Sequence, residues 1–286
     1  MFNKEHCSPR KGSLSDSCMS KSLLSSIAKQ LNKKYNAKIK TKNASKKKLL
    51  SEIKKYLEKE ECKNEACLMK FNFINNLTNK DKKELKSSFK PKQPTEWYNN
   101  PTMWLTTKDI DEVMKQYENK YPHFKYYGAT PIDFHLKSGN SCMISDLCNI
   151  NINGFKTKKC LGMVFNTDKH NQSGQHWFSI FVDLKGINSN KPTIYYFDSA
   201  KPIKNIQEIP SEIFNLIERL QEQNNYQFDL FFNDIKHQYG NTECGVYCLH
   251  FLTEMLKGID FYDYISQPLT DKKIEKYREK FFIKIL

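Results

Sequence analysis

The stretch His237-Gln238-Tyr239-Gly240-Asn241-Thr242-Glu243-Cys244-Gly245-Val246-Tyr247-Cys248-Leu249-His250-Phe251-Leu252 sets a polar, turn-forming run against an abrupt apolar one. From Cys244 to Leu256 only His250, Thr253 and Glu254 break the apolar series. A helix that is apolar on nearly every face belongs in the middle of a domain. Cys244 opens this helix, with Asn241 or Thr242 placed to cap it, and the positive end of the helix dipole favours a thiolate there.

Outward from Cys244, three other residues complete a chemical set: His176 in Gln175-His176-Trp177, Asp198 at the end of the run Ile194 to Phe197, and Gln238 six positions before the cysteine. They supply a base, a carboxylate to orient it, and a side-chain donor for an oxyanion beside the backbone N–H of Cys244. The reaction this implies is acyl transfer: thiolate attack, protonation of the leaving amine by His176, then hydrolysis of the thioester. Gly245 is expected to leave room for a substrate backbone. A lone strand histidine or buried cysteine is commonplace, so the weight lies in the four together. Cys248, one turn on, reads as structural. His237 and His250 read as non-catalytic, because a strand side chain next to Gln238 points to the opposite face.

The surrounding chain alternates elements. Leu161 to Thr167, His176 to Leu184, Thr193 to Phe197 and Phe228 to Ile235 are strand-like, whereas Thr107 to Tyr121 and Ser211 to Gln223 carry helical periodicity. Before Pro91 and Pro94 the pattern is helical only: Cys18 to Lys34, Ser45 to Glu60 and Lys80 to Phe89. Residues 1 to about 16 read as a mobile terminus. The fold class expected is therefore α+β: a basic helical arm over 1–90, then a catalytic domain over 91–286 with a central mixed sheet and a buried helix carrying the nucleophile. A fragment beginning near Gln93 is expected to fold alone.

The order His176, Asp198, Gln238, Cys244, with Trp177 directly after the histidine and Ser199 after the acid, resembles the adenain and SUMO-protease superfamily of cysteine proteases, clan CE. In papain-like enzymes the cysteine comes first. Val164-Phe165-Asn166-Thr167-Asp168, Phe181-Val182-Asp183 and Thr242-Glu243-Cys244-Gly245 extend the likeness toward the viral polyprotein-processing branch. The resemblance implies cleavage after Gly-Gly in Gly-Gly-X sites of viral structural polyproteins during virion maturation. It also implies a glycine-only tunnel with Trp177 as one wall and Trp104 as the candidate for the other, and it brings Asn166 and Gly245 to the substrate. Trp104-Leu105-Thr106-Thr107-Lys108 is longer than the family's Trp-Leu-Asn-Asp pattern. Two further activities share the residue order: an isopeptidase removing a SUMO-like modifier, and an acetyltransferase effector.

Charge divides the chain as the elements do. All of the net +14 falls in residues 1–90, where Lys33, Lys34, Lys38, Lys40, Lys42 and Lys46 to Lys48 form a run without an acid. Such a face is either solvated or contacts nucleic acid or acidic polyprotein, with no aromatic or arginine pattern for sequence readout. No stretch approaches the ~18 apolar residues of a membrane span, and the N-terminus lacks an apolar leader. The 9 cysteines, an odd number without CxxC spacing, are expected as free thiols in a reducing intracellular compartment; Cys62 with Cys67 and Cys142 with Cys148 are spaced loosely for zinc. No metal or cofactor is called for. The resemblance places the protein in host cytoplasm at viral assembly sites and in the virion. Oligomeric state is left open.

Overall fold

Ser20, Ser45 and Thr78 each accept a hydrogen bond from the backbone N–H three residues on, at 3.2, 3.2 and 3.1 Å. These caps start α1 (Lys21–Tyr35), α2 (Lys46–Lys59) and α3 (Asn79–Ser88). The computed structural model describes residues 4–11, 16–62, 64–139, 141–223 and 228–285. It divides into two compact units, Met1–Thr95 with Glu279–Leu286, and Glu96–Arg278.

In the first unit the expected apolar faces meet: Leu23, Leu24, Ile27 and Leu31 of α1 join Leu49, Leu50, Ile53 and Leu57 of α2 in one core. The N-terminal segment does not read as a free end in the structure. Cys7 is buried, forms an isolated bridge with Phe89, and is bonded to Cys18. The C-terminal end also departs from the expected division at residue 90. Ile283 donates to Pro91 at 2.9 Å and accepts from Gln93 at 3.0 Å, and Ile283 and Ile285 complete the arm's core. Apolar residues at a chain end find the hydrophobic surface that buries them, which local periodicity cannot anticipate.

The cysteine expectation is corrected for six residues. Cys7–Cys18, Cys62–Cys67 and Cys142–Cys148 are disulfides, leaving Cys160, Cys244 and Cys248 free. Cys62 and Cys67 approach to a Cα separation of 5.7 Å because Glu61 adopts a left-handed φ of 58° and a short 3-10 helix, Glu65–Lys70, turns the chain back. Spacing alone does not carry that information.

The second unit opens with α4 (Thr107–Lys120), which has a complete capping box between Thr106 and Asp109. That box accounts for the long gap between Trp104 and the next acid. There follow β1 (Phe124–Pro131), the two-residue pair β2 (Lys137–Ser138) and β3 (Ser141–Cys142), α5 (Ser145–Cys148), β4 (Cys160–Asn166), β5 (Trp177–Asp183), β6 (Thr193–Phe197), α6 (Ser211–Glu222), β7 (Asp229–Phe232) and α7 (Cys244–Met255). Three short helices close the unit: α8 (Phe261–Ser266), α9 (Asp271–Glu275) and α10 (Tyr277–Phe281), whose last residues belong to the tail.

The main sheet runs β1-β4-β5-β6-β7, parallel at both edges and antiparallel in the middle. Every residue of β4, β5 and β6 is buried, as a sheet covered on both faces requires. Leu161, Met163, Phe178, Ile180 and Ile194 share a core with Ile213, Leu216 and Ile217 of α6. Alternation puts Gly162, Ser179 and Phe197 on the face toward α7. There Phe197 stacks on Phe251 at 4.8 Å, and a Cβ at Gly162 would strike the Phe124 ring at 2.6 Å. No helix among the described residues is long and apolar enough to cross a membrane.

Candidate active site

Two strand ends and one helix start deliver the site. His176 immediately precedes β5, Asp198 immediately follows β6, and Cys244 is the first residue of α7. The His176 Nε2 lies 2.7 Å from Asp198 Oδ1. The Cys244 thiol is the other group that acts on this ring. Burial works against charge on this imidazole, whose side chain is only 13% exposed, but Asp198 and Cys244 outweigh it and raise its pKa to about 9. Such an arrangement keeps an imidazolium beside a thiol at neutral pH, the condition for thiolate chemistry.

Asp198 is held from all sides. Its Oδ1 also accepts from the backbone N–H groups of Ala200 at 2.9 Å and Lys201 at 2.8 Å. Its own N–H donates to Asn233 Oδ1 at 2.9 Å, and Asn233 Nδ2 donates back to the Asp198 carbonyl at 2.8 Å. The adjacent Ser199 carbonyl accepts from both His237 and Gln238 N–H, and Ser199 Oγ donates to Gln238 Oε1 at 2.8 Å.

Gln238 thus arrives near the start of α7, with its amide aimed at an internal partner. Nε2 donates to the Gly240 carbonyl at 3.2 Å and to Glu243 Oε2 at 3.3 Å, both long bonds that a stronger acceptor can compete for. Neither Asn241 nor Thr242 caps α7. Glu243 is the N-cap residue, without a side-chain cap, and its carboxylate accepts from Thr242 N–H and Oγ as well as from Gln238. The whole turn is anchored by Asp271, whose Oδ2 accepts from Tyr239 N–H at 3.0 Å and Gly240 N–H at 2.7 Å, while Oδ1 accepts from Tyr247 Oη at 3.1 Å.

Trp177 is 8% exposed and its indole N–H donates to the Leu105 carbonyl at 3.0 Å, which ties it to the segment carrying Trp104, itself 41% exposed. Two expected substrate residues stand differently. A Cβ on Gly245 would meet Leu105 Cβ at 3.0 Å, so this glycine makes room for Leu105. Asn166 is buried, and its Oδ1 accepts from Asp168 N–H at 2.9 Å to close the turn that leads to His176. Burial drives His237 down to about 4, keeping it neutral, and pushes the Cys248 thiol well above its ordinary range. Among the described residues the group with metal-ligand spacing is His6, Cys7 and Cys18 in the first unit, and its two sulfurs are joined to each other.

A buried-helix cysteine facing an acid-held histidine defines a cysteine protease site. The chain belongs to the Ulp1 protease family, C-terminal catalytic domain, whose profile matches residues 138–285. It is 31% identical over 244 residues to a thiol protease of Acanthamoeba polyphaga mimivirus, covering 84% of this chain and 75% of that protein. It is 28% identical over 256 residues to the cysteine protease of African swine fever virus, strain Badajoz 1971 Vero-adapted, covering 82% of this chain and 89% of that one. The crystal structure of the African swine fever virus protease superposes with a TM-score of 0.66 over 99% of this chain and 97% of that one, at 22% identity, and establishes the shared fold. The protein is a cysteine-type peptidase.

Proposed function

We propose that the protein is an endopeptidase that cuts after Gly-Gly in Gly-Gly-X sites of viral structural polyproteins during virion maturation, at assembly sites in host cytoplasm and in the virion. Cys244 is the nucleophile, His176 the base and then the acid, Asp198 its orienting partner, and Gln238 the side-chain oxyanion donor. The observation that carries this reading is coverage. The likeness to the two viral proteases spans more than four-fifths of this chain, beyond the residues 138–285 that the family profile matches. In this reading Trp177 and Trp104 are the walls that select glycines, and it is supported by the bond from the Trp177 indole to Leu105, the residue after Trp104.

An isopeptidase acting on a SUMO-like modifier is the second reading, favoured by the name SUMO-1 cysteine protease carried by similar swine fever virus enzymes. Incubation with a Gly-Gly-X peptide, the same peptide with either glycine replaced by alanine, and a SUMO-linked protein separates them. Cleavage of the peptide alone, lost on alanine replacement, is expected. Release of the modifier without peptide cleavage rejects the endopeptidase.

The arm's lysines serve recruitment in this proposal. Lys33, Lys34, Lys47 and Lys48 are exposed where α1 ends and α2 begins, while Lys46 pairs with Asp16 at 2.9 Å. They contact nucleic acid or acidic polyprotein through charge alone, so retention on duplex DNA should fall steeply with added salt. Retention independent of salt rejects the contact.

A further inference from the structure

Arg278 is 5% exposed, and its guanidinium is used almost completely. Nη1 donates to the Met103 carbonyl at 2.8 Å, and Nη2 donates to Thr102 at 3.4 Å and to the Thr242 carbonyl at 3.1 Å. Nε and Nη2 together grip Glu275, at 2.6 and 3.1 Å. The group lies over the Trp97 ring at 4.7 Å.

The carbonyls it binds are not arbitrary. Thr102 and Met103 lead directly into Trp104 and Leu105, and Leu105 holds the Trp177 indole and lies against Gly245. Thr242 leads into Glu243 and Cys244, the start of α7. One planar cation therefore spans the tryptophan-bearing wall and the nucleophile turn, with a half-buried carboxylate partner and an aromatic face fixing its plane. Trp97 and Arg278 are also the second and the last residues of the catalytic unit.

We infer that Arg278 is a positioning residue that sets the separation between the Trp104–Leu105 wall and the Thr242–Cys244 turn, and thereby governs how a peptide substrate seats in front of Cys244. This rests on the cysteine peptidase chemistry of the site and not on the choice of Gly-Gly. Lysine retains the charge but cannot reach three carbonyls and a carboxylate from one plane. A wall displaced by even a fraction of an ångström weakens seating before it touches the thiolate.

The test compares Arg278→Lys and Glu275→Gln with wild type in three ways: alkylation of Cys244 by iodoacetamide, which needs no wall; steady-state cleavage of a Gly-Gly-X peptide; and acrylamide quenching of tryptophan fluorescence. Arg278→Lys is expected to lower kcat/KM by about tenfold or more, mainly through KM, while alkylation stays within about twofold of wild type. Glu275→Gln, which keeps every carbonyl contact, is expected to show the same pattern more weakly and covers the case in which Arg278→Lys does not fold. Unchanged kcat/KM in both variants overturns the inference, as does alkylation falling in step with it, which marks a purely structural role. Should wild type ignore the peptide, the Gly-Gly reading fails and the quenching decides. Quenching must rise in Arg278→Lys, or failing that in Glu275→Gln, and no rise overturns the assignment.

Discussion

Asn233 and Asp198 are joined twice, each accepting a hydrogen bond from the other at 2.9 and 2.8 Å, so the carboxylate that faces His176 sits on a backbone held by a buried amide. Removing that amide by Asn233→Ala leaves a buried N–H and a buried carbonyl unpaired, a cost of about 2 kcal/mol or more in stability. The folded variant should also lose kcat, because Asp198 drifts. Denaturant unfolding with kinetics checks both, and wild-type kcat would remove Asn233 from the support of the site.

Cys244→Ala should abolish peptide cleavage, by at least about a thousandfold, while leaving the fold intact, and His176→Ala should be comparably severe. Because the members act as a unit, the double variant should be little worse than either single one. Additive losses on the free-energy scale would mean that the two residues act separately.

Asp198→Asn should be milder than His176→Ala. The oxygen facing His176 is fixed by the N–H groups of Ala200 and Lys201, and an amide oxygen held by the same two donors still accepts from the imidazole. Equal losses in a kinetic series would contradict this ranking.

Gln238→Ala should reduce kcat more than it raises KM, since the oxyanion exists only in the transition state; a lost donor of this kind costs on the order of 3 kcal/mol. A raised KM with unchanged kcat would make Gln238 a substrate-binding residue and place the oxyanion donor elsewhere.

The pH dependence follows from His176, raised from 6.5 to about 9. A raised pKa means the charged ring is favoured in the folded protein, so its stabilisation is full below pH 6.5 and is lost as pH rises through about 9. Activity should likewise fall on an alkaline limb near pH 9, where the imidazolium that protonates the leaving amine disappears. Asp198→Asn should move that limb to lower pH. A limb unmoved by the substitution would assign it to another group.

Much of this was legible in the residues. The helices over 107–120, 211–222 and 244–255 lie within one or two residues of the periodic runs that announce them, because each buries one or all faces. β1 was not legible. Phe124 to Pro131 carries Lys125, Gly128 and Pro131, and its register shifts between Tyr126 and Ala129, so neither alternation nor an apolar run marks it. His176, Asp198 and Cys244 meet as their order implied. Asn233, Asp271 and Arg278 gave no sign because each acts through backbone groups distant in sequence, and a polar residue carries no local mark of the group it will find. The packing need for Gly245 was hidden for a related reason: the neighbour that a side chain there would meet, Leu105, lies 140 positions away.

The return of Ile283 and Ile285 to the arm has a consequence for synthesis. A ribosome releases residues 96–278 before it releases the last apolar residues the arm requires. The N-terminal unit, although it emerges first, is the last to close. Until then α1 to α3 wait with part of their core open, and the catalytic unit can collapse on its own strands in the interval. The fragment expected to fold from Gln93 onward would carry that tail with nothing to bury it, whereas a fragment of residues 96–278 would not.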